Sequence, residues 1–175
     1  MSKVNVRKYI KTLDNNSLQQ IILDLYTLSK EAKEYLEYAI SPDDHSKFIE
    51  IKSLIDREFC YTQKYRRLKF TKCKNAIANF KKLDPANEYV AELMIYMVES
   101  ASSRASQWGN AEPSFIYSLA SNYTSAAKFI LKYNLQDFYK DRLKILVREI
   151  DRFGYGVGFG IDDIYSEIYG KSAFD

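Results

Sequence analysis

Hydrophobic residues recur along the chain at intervals of three, four and seven positions. This spacing places side chains on one face of an α-helix, so it predicts a chain of amphipathic helices. The apolar stripes span residues 6–13, 18–39, 48–59, 73–80, 90–101, 115–131, 135–150 and 161–168. We therefore expect about eight helices and find no convincing strand pattern. The stripe over residues 18–39 is the longest, and we expect its helix to bend near Ser29.

Residues that favour helix starts lie between the stripes. In two places an acidic residue precedes proline, at Asp84-Pro85 and at Glu112-Pro113. Proline suits the first position of a helix, where its missing amide would be unpaired anyway, so both prolines are predicted to open helices. Candidate caps for other helices are the polar stretch 14–17, Asp43, Asp44, Thr71 and Asn134.

Length and composition fit a single helical domain over residues 1–175. The chain is 46% hydrophobic and 28% charged and has three prolines, unlike a disordered chain. Short connections leave neighbouring helices antiparallel. The prediction is an all-α fold of helix pairs, arranged as a short α-solenoid or as a compact helical bundle. Long, paired amphipathic helices favour the superhelical arrangement, although no sequence repeat accompanies it.

The cysteine content and the apolar runs indicate a compartment. Cys60 and Cys73 are the only cysteines, and the chain shows no amino-terminal secretion signal. No apolar run approaches the length of a membrane span. We expect a cytoplasmic protein with two free thiols and no membrane partner.

Three stretches carry packing patterns of leucine, isoleucine and tyrosine: NEYVAELMIYMVES at 87–100, DNNSLQQIILDLY at 14–26 and GFGIDDIYSEIYG at 158–170. In these stretches the chain resembles a bacterial family of small all-helical proteins known as a domain of unknown function. The resemblance covers most of the chain in order. It implies an all-helical fold and brings no activity, cofactor or catalytic residue with it.

The glycine-rich stretch FGYGVGFGIDD, residues 153–163, invites comparison with phosphate-binding loops. A dinucleotide fingerprint from Gly154 would need glycine or alanine at Phe159, and it would need a strand before it. We expect instead that Gly154 ends a helix in left-handed geometry, and that the other glycines let the chain turn under packed rings of Phe153, Tyr155 and Phe159. The alternative is an anion at the start of the last helix, where Asp162 and Asp163 would compete with it.

Residues for metal or acid–base chemistry are few. His45 is the only histidine, which excludes zinc sites built on several imidazoles. Cys60 and Cys73 have no CxxC motif and are expected to be buried small hydrophobes. The acidic residues on predicted helices lie among lysines and indicate exposed salt-bridged faces. We predict no metal, no cofactor and no catalytic residue, and enzyme activity is the least supported function.

The most specific feature is a basic block at residues 64–82. Residues 59–83 contain no Asp or Glu. Eight cations lie there, interleaved with Tyr61, Tyr65 and Phe70: Lys64, Arg66, Arg67, Lys69, Lys72, Lys74, Lys81 and Lys82. The block could be a solvated connector whose cations pair with the chain's own Asp56, Glu58 and Asp84. It could also contact phosphates and unpaired bases, or an acidic segment of a protein.

The predicted function follows from this block. We expect a non-enzymatic helical scaffold that binds a protein partner through an exposed helical groove and the block, with single-stranded RNA or DNA as the alternative ligand. The candidate binding surface comprises Lys64, Tyr65, Arg66, Arg67, Lys69, Phe70, Lys72 and Lys74.

Overall fold

The computed structural model describes residues 2–59, 69–109 and 111–175, and within them the secondary structure consists of nine α-helices and no strand. The helices are α1 (Lys3–Ile10), α2 (Asn15–Leu28), α3 (Lys30–Ile40), α4 (Asp44–Glu58), α5 (Thr71–Lys82), α6 (Asn87–Trp108), α7 (Pro113–Lys132), α8 (Gln136–Asp151) and α9 (Val157–Tyr169). The predicted all-α fold is confirmed. In this part of the chain, no helix combines the length and the hydrophobicity needed to cross a membrane.

The long apolar stripe forms two helices rather than one bent helix. Ser29 has extended backbone and is both the C-cap of α2 and the N-cap of α3. Its amide donates to the carbonyl of Leu25 at 3.0 Å, and its Oγ accepts the amide of Ala32 at 3.2 Å. The predicted bend is therefore a break, because a serine that caps the second helix cannot continue the first. At the start of α2, Asp14 accepts the amide of Ser17 at 2.7 Å, as expected of a cap.

The two acid–proline pairs behave differently. Pro113 is the first residue of α7, as predicted. Pro85 is buried two residues before α6, because Asp84 adopts left-handed backbone (φ 60°) and turns the chain there. The carboxylate of Asp44, at the start of α4, accepts the amide of Ala86 at 2.9 Å. This tertiary hydrogen bond pairs the backbone amide just before α6. The Asp84-Pro85 sequence alone does not predict it.

Two predicted caps, Asn134 and Thr71, are wrong. Asn134 has left-handed backbone (φ 57°) after α7 and does not cap α8. Asparagine tolerates this conformation because its short side chain bonds locally. Thr71 is the first residue inside α5, and Phe70, at the N-cap position, makes no capping hydrogen bond with its side chain.

The chain divides into two compact units, Met1–Asp43 and Asp44–Asp175. The first unit contains α1, α2 and α3, and its helix packing joins α2 to α3. The hydroxyl of Tyr26 donates to Glu37 across this hairpin at 3.0 Å. None of the described residues of the first unit is buried.

The second unit contains α4 to α9. Each of its helices packs mainly against helices one or two positions away in the chain, so that α6 contacts α4, α5, α7 and α8. This is the contact pattern of stacked helix pairs, with α4 and α5, α6 and α7, and α8 and α9 as the pairs. The core includes fully buried Ile55, Leu93, Ile95, Ile116, Leu119, Ile130, Leu143, Leu146 and Ile150.

An ionic cluster joins α6 to α8. Arg142 donates from Nη1 to Glu92 at 2.5 Å and from Nη2 at 3.1 Å. It also donates to Glu99, from Nε at 2.7 Å and from Nη2 at 2.8 Å. The bonds to Glu99 and Glu92 raise the pKa of Arg142 above its usual value, although partial burial opposes the shift. One arginine therefore bridges two carboxylates on the neighbouring helix.

Buried tyrosines pack near the carboxyl end of the chain. Tyr165 is fully buried, and its ring lies 4.6 Å from that of Tyr169. The hydroxyl of Tyr169 donates to the carbonyl of Gln136 at 2.7 Å. The hydroxyl of Tyr165 has no hydrogen-bond partner among the described residues. Burial raises the pKa of both phenols above the usual value for tyrosine.

Replacing Tyr165 with phenylalanine is expected to raise the free energy of unfolding by about 1 kcal/mol, because a buried hydroxyl without a partner costs desolvation energy. Tyr169→Phe is the matched control and should lose about 1 kcal/mol, since it leaves the Gln136 carbonyl without its donor. Urea unfolding of both variants measures the difference. A clear loss of stability in Tyr165→Phe would mean that this hydroxyl makes a stabilising bond.

Candidate functional site

The structure describes residues 69–82 of the basic block. Lys64, Tyr65, Arg66 and Arg67 of the candidate surface lie outside the described residues. The rest of the candidate surface, Lys69, Phe70, Lys72 and Lys74, comes together at the start of α5. This helix buries Cys73, Ile77 and Phe80. Its other side, which includes Thr71, Lys74, Asn75, Ala78 and Lys82, is exposed.

Phe70 belongs to the core of the second unit. It is 6% exposed, and its ring centroid lies 5.5 Å from that of Phe59 and 5.2 Å from that of Phe115. The ring is thus occupied by two protein partners and does not face solvent. A sequence signal for this exists, since Phe70 precedes Cys73, Ile77 and Phe80 at intervals of three, four and three residues. Phe70 therefore extends the apolar stripe of α5.

Two lysines of the block are engaged within the protein. Lys72 pairs with Glu58 of α4 at 3.1 Å, one of the internal pairings considered above. The Nζ of Lys81 lies 4.3 Å from the ring centroid of Phe129 and 3.3 Å from the sulfur of Met94. Partial burial, followed by the charge of Lys132, lowers the pKa of Lys81. Both lysines thus help to hold α5 in place.

Three exposed lysines remain: Lys69, two residues before α5, and Lys74 and Lys82 on the outer side of the helix. We refer to them as the basic face of α5. Lys82 donates to Asn79 on the same helix at 3.0 Å. Because the opposite side of the helix is buried in the second unit, the packing of α5 keeps Lys74 and Lys82 on its solvent side.

The cysteines and the histidine offer no reactive centre in the described residues. Cys73 is a fully buried free thiol, as predicted, and burial together with the charge of Glu58 raises its pKa to about 11. Cys60 lies outside the described residues. His45 is exposed, with its ring 6.5 Å from that of Phe48. In the part of the chain that the structure covers, no three His, Cys, Asp or Glu side chains are placed to hold a metal ion.

A cavity of about 320 Å³ lies between α4 and α6. Its described lining is Asp56, Phe59, Tyr96, Ser100, Ser103, Arg104 and Gln107. The hydroxyl of Tyr96 donates to Asp56 at 2.5 Å, which raises the pKa of the phenol. Asp56 is the one carboxylate among these described lining residues.

The glycine-rich stretch is a helix junction. Gly154 has left-handed backbone (φ 77°) after α8, as predicted. The last helix begins earlier than expected, at Val157, so Gly158 lies within it. A methyl group at Gly158 would overlap the carboxylate of Asp151 and would lie 2.8 Å from its Cβ. Gly158 therefore permits the close approach of α9 to the end of α8.

The rings and acids of this stretch differ in part from the prediction. Phe153 packs against the core, but Tyr155 and Phe159 are 51% and 79% exposed, so the expectation of packed rings is wrong for those two. The helical start at Val157 turns Phe159 outward. Asp162 accepts Ser172 Oγ at 2.8 Å and the amide of Ala173 at 2.7 Å. This carboxylate secures the carboxyl-terminal segment.

An exposed apolar surface in the first unit is the feature that the sequence did not single out. Ten large hydrophobic residues of this unit are between 40% and 84% exposed: Val4, Val6, Tyr9, Ile10, Ile22, Leu23, Leu25, Leu28, Tyr35 and Ile40. The apolar stripes predicted helices in this unit, although the stripe over residues 18–39 forms two helices and not one. A stripe has the same pattern whether or not another surface covers it, so the pattern could not indicate exposure.

Comparison with curated proteins finds no match, and neither does comparison with solved structures. One family does match, described as a family of unknown function, DUF6155, over residues 1–152. The matched region includes α1 to α8 and ends before α9. This agrees with the resemblance at residues 14–26 and 87–100, whereas the stretch at 158–170 lies beyond the match, which covers most of the chain. The protein belongs to the family of unknown function DUF6155.

Proposed function

We propose that this protein is a non-enzymatic helical scaffold that binds an acidic segment of a partner protein through the basic face of α5. The observation that carries the proposal is the separation of the two sides of α5: one side is buried in the core, and the other presents Lys69, Lys74 and Lys82. No Asp or Glu occurs in residues 59–83 to offset their charge. Carboxylates of a partner would pair with these three lysines.

The anchoring of α5 supports recognition by a fixed surface. The ring of Phe70, tilted against Phe59 and stacked on Phe115, holds the start of the helix. Lys72, paired with Glu58, and Lys81, over Phe129, add contacts along its length. A surface that is already ordered pays less conformational entropy on binding than a flexible one. Long lysine side chains still adjust to the spacing of the partner's carboxylates.

The surroundings of the basic face favour a protein over single-stranded nucleic acid. Proteins that bind single strands combine cations with exposed aromatic rings on which bases stack. Phe70, the aromatic residue of the candidate surface that the structure describes, is buried. The described surface thus offers cations without a stacking ring, which suits carboxylates.

Fluorescence-anisotropy titration with a labelled glutamate-rich peptide and a labelled oligouridine, at several salt concentrations, tests the proposal. We expect the Lys69→Glu/Lys74→Glu variant to bind the peptide about tenfold more weakly than the unchanged protein. The control is Lys128→Glu/Lys171→Glu, which makes the same change in charge at two other exposed lysines and should retain the affinity.

The two ligands distinguish an acidic protein partner from single-stranded nucleic acid. Peptide binding that both variants retain equally would overturn the proposal. Binding of oligouridine in preference to the peptide, with a log–log salt slope near about −2 that Lys69→Glu/Lys74→Glu flattens, would assign the surface to nucleic acid instead. A third variant, with neutral residues at Lys64, Arg66 and Arg67, tests the contribution of the three cations at the start of the block.

A further inference from the structure

The first unit, Met1–Asp43, has helices but no core. None of its described residues is buried, and its ten exposed large hydrophobic residues leave apolar surface in water. Helical stability in proteins comes mostly from the packing of an amphipathic face, and a unit of about 40 residues rarely stabilises itself. These helices therefore need a further surface to cover them.

The charges of this unit are divided between two segments of opposite sign. Residues 2–13, which include α1, carry Lys3, Arg7, Lys8 and Lys11 and no acid. Residues 14–43, which include α2 and α3, carry six acids against two lysines: Asp14, Asp24, Glu31, Glu34, Glu37 and Asp43 against Lys30 and Lys33. A basic arm thus precedes an acidic hairpin, with equal and opposite net charges.

The basic arm, residues 2–13, is less packed than the hairpin, because the helix packing of this unit joins α2 to α3. α1 has eight residues, and all of them are exposed. An isolated helix of this length is marginal in water. Tyr9 and Ile10 are 57% and 43% exposed and lie next to the cations of the arm. The arm can therefore offer both charge and apolar area to an acidic, apolar surface, and the α2–α3 hairpin is such a surface.

We propose that a second copy of this chain covers the first unit, with the basic arm of each copy bound to the acidic hairpin of the other. A two-fold symmetric dimer uses the same patch on both subunits, so both pairs of opposite charge form at once. An unrelated partner would have to complement a basic and an acidic surface together. The ten side chains that are 40% to 84% exposed provide the apolar area for such an interface, and a stable interface needs about 800 Å² from each partner.

Sedimentation equilibrium of the full chain over a range of concentrations tests the dimer, and exchange of charges tests its geometry. Lys3→Glu/Arg7→Glu/Lys8→Glu/Lys11→Glu reverses the net charge of the arm, and Asp24→Lys/Glu31→Lys/Glu34→Lys/Asp43→Lys reverses that of the hairpin. Each variant alone should dimerise at least about tenfold more weakly, because arm and hairpin then repel. An equimolar mixture should form a heterodimer as tight as the original dimer, since both arm–hairpin pairs are again complementary.

Further variants test the apolar part of the interface and serve as controls. Leu25→Gln/Leu28→Gln should weaken dimerisation without a change in charge, whereas Lys128→Glu/Lys171→Glu in the second unit should not affect it. Circular dichroism of each variant establishes that the second unit remains folded. A monomer at all concentrations would overturn the proposal. So would a dimer that the arm, hairpin and leucine variants all retain, or charge variants that fail to recover in the mixture.

Discussion

Replacing Phe70 with alanine is expected to lower the free energy of unfolding by about 3–5 kcal/mol, which is the cost of removing a buried aromatic ring from a packed core. The ring contacts both Phe59 and Phe115, so its loss separates the start of α5 from α4 and α7. Urea unfolding followed by circular dichroism measures the change. Lys74→Ala, four residues later on the exposed side, should change stability by no more than about 0.5 kcal/mol.

The pair of variants also separates two roles for the start of α5. If Phe70 contributes to the core alone, Phe70→Ala loses stability while Lys74→Ala loses affinity for acidic ligands. A Phe70→Ala variant as stable as the unchanged protein, but impaired in binding, would contradict the buried position and return this ring to the binding surface.

The helices were predictable because burial of one side imposes a period on the sequence. Their ends were predictable where the capping partner is local, as at Asp14 and Pro113. The prediction failed where a distant residue decides the geometry. Asp84-Pro85 has the same local signal as Glu112-Pro113, but a left-handed Asp84 and the Asp44 carboxylate displace the start of α6.

The candidate surface was predictable in its charge and less so in its arrangement. Charge density is read directly from the sequence, whereas the direction of a side chain depends on which side of a helix packs. Phe70 was therefore assigned to the surface with its lysine neighbours, although it lies in the core. The exposure of the first unit was not predictable, since an amphipathic stripe does not identify the surface that covers it.

Arg142→Ala is expected to lower the free energy of unfolding by about 2–3 kcal/mol. The substitution removes four hydrogen bonds between α6 and α8 and leaves Glu92 and Glu99 close together without their shared cation. The cluster is about one-third exposed, which keeps the cost below that of a fully buried ion pair. Thermal and urea unfolding measure the loss.

Two further variants identify the source of that loss. Arg152→Ala removes an exposed arginine at the end of the same helix and should cost no more than about 0.5 kcal/mol. In a Glu92→Gln/Glu99→Gln background, Arg142→Ala should cost clearly less, because the repulsion between the two carboxylates is gone. An equal cost in both backgrounds would mean that the packing of the arginine stem, and not its charge, holds α6 to α8.

The burial of Cys73 makes this residue a reporter of motion in α5. An alkylating reagent reacts with the thiolate, and here the thiol is enclosed and has a pKa of about 11. Modification at neutral pH must therefore wait until α5 separates transiently from its neighbours. In a Cys60→Ser background, the labelling rate relative to that of an unfolded peptide would give the free energy of this local opening. A ligand that binds the basic face would slow the labelling by the amount that it stabilises the closed helix.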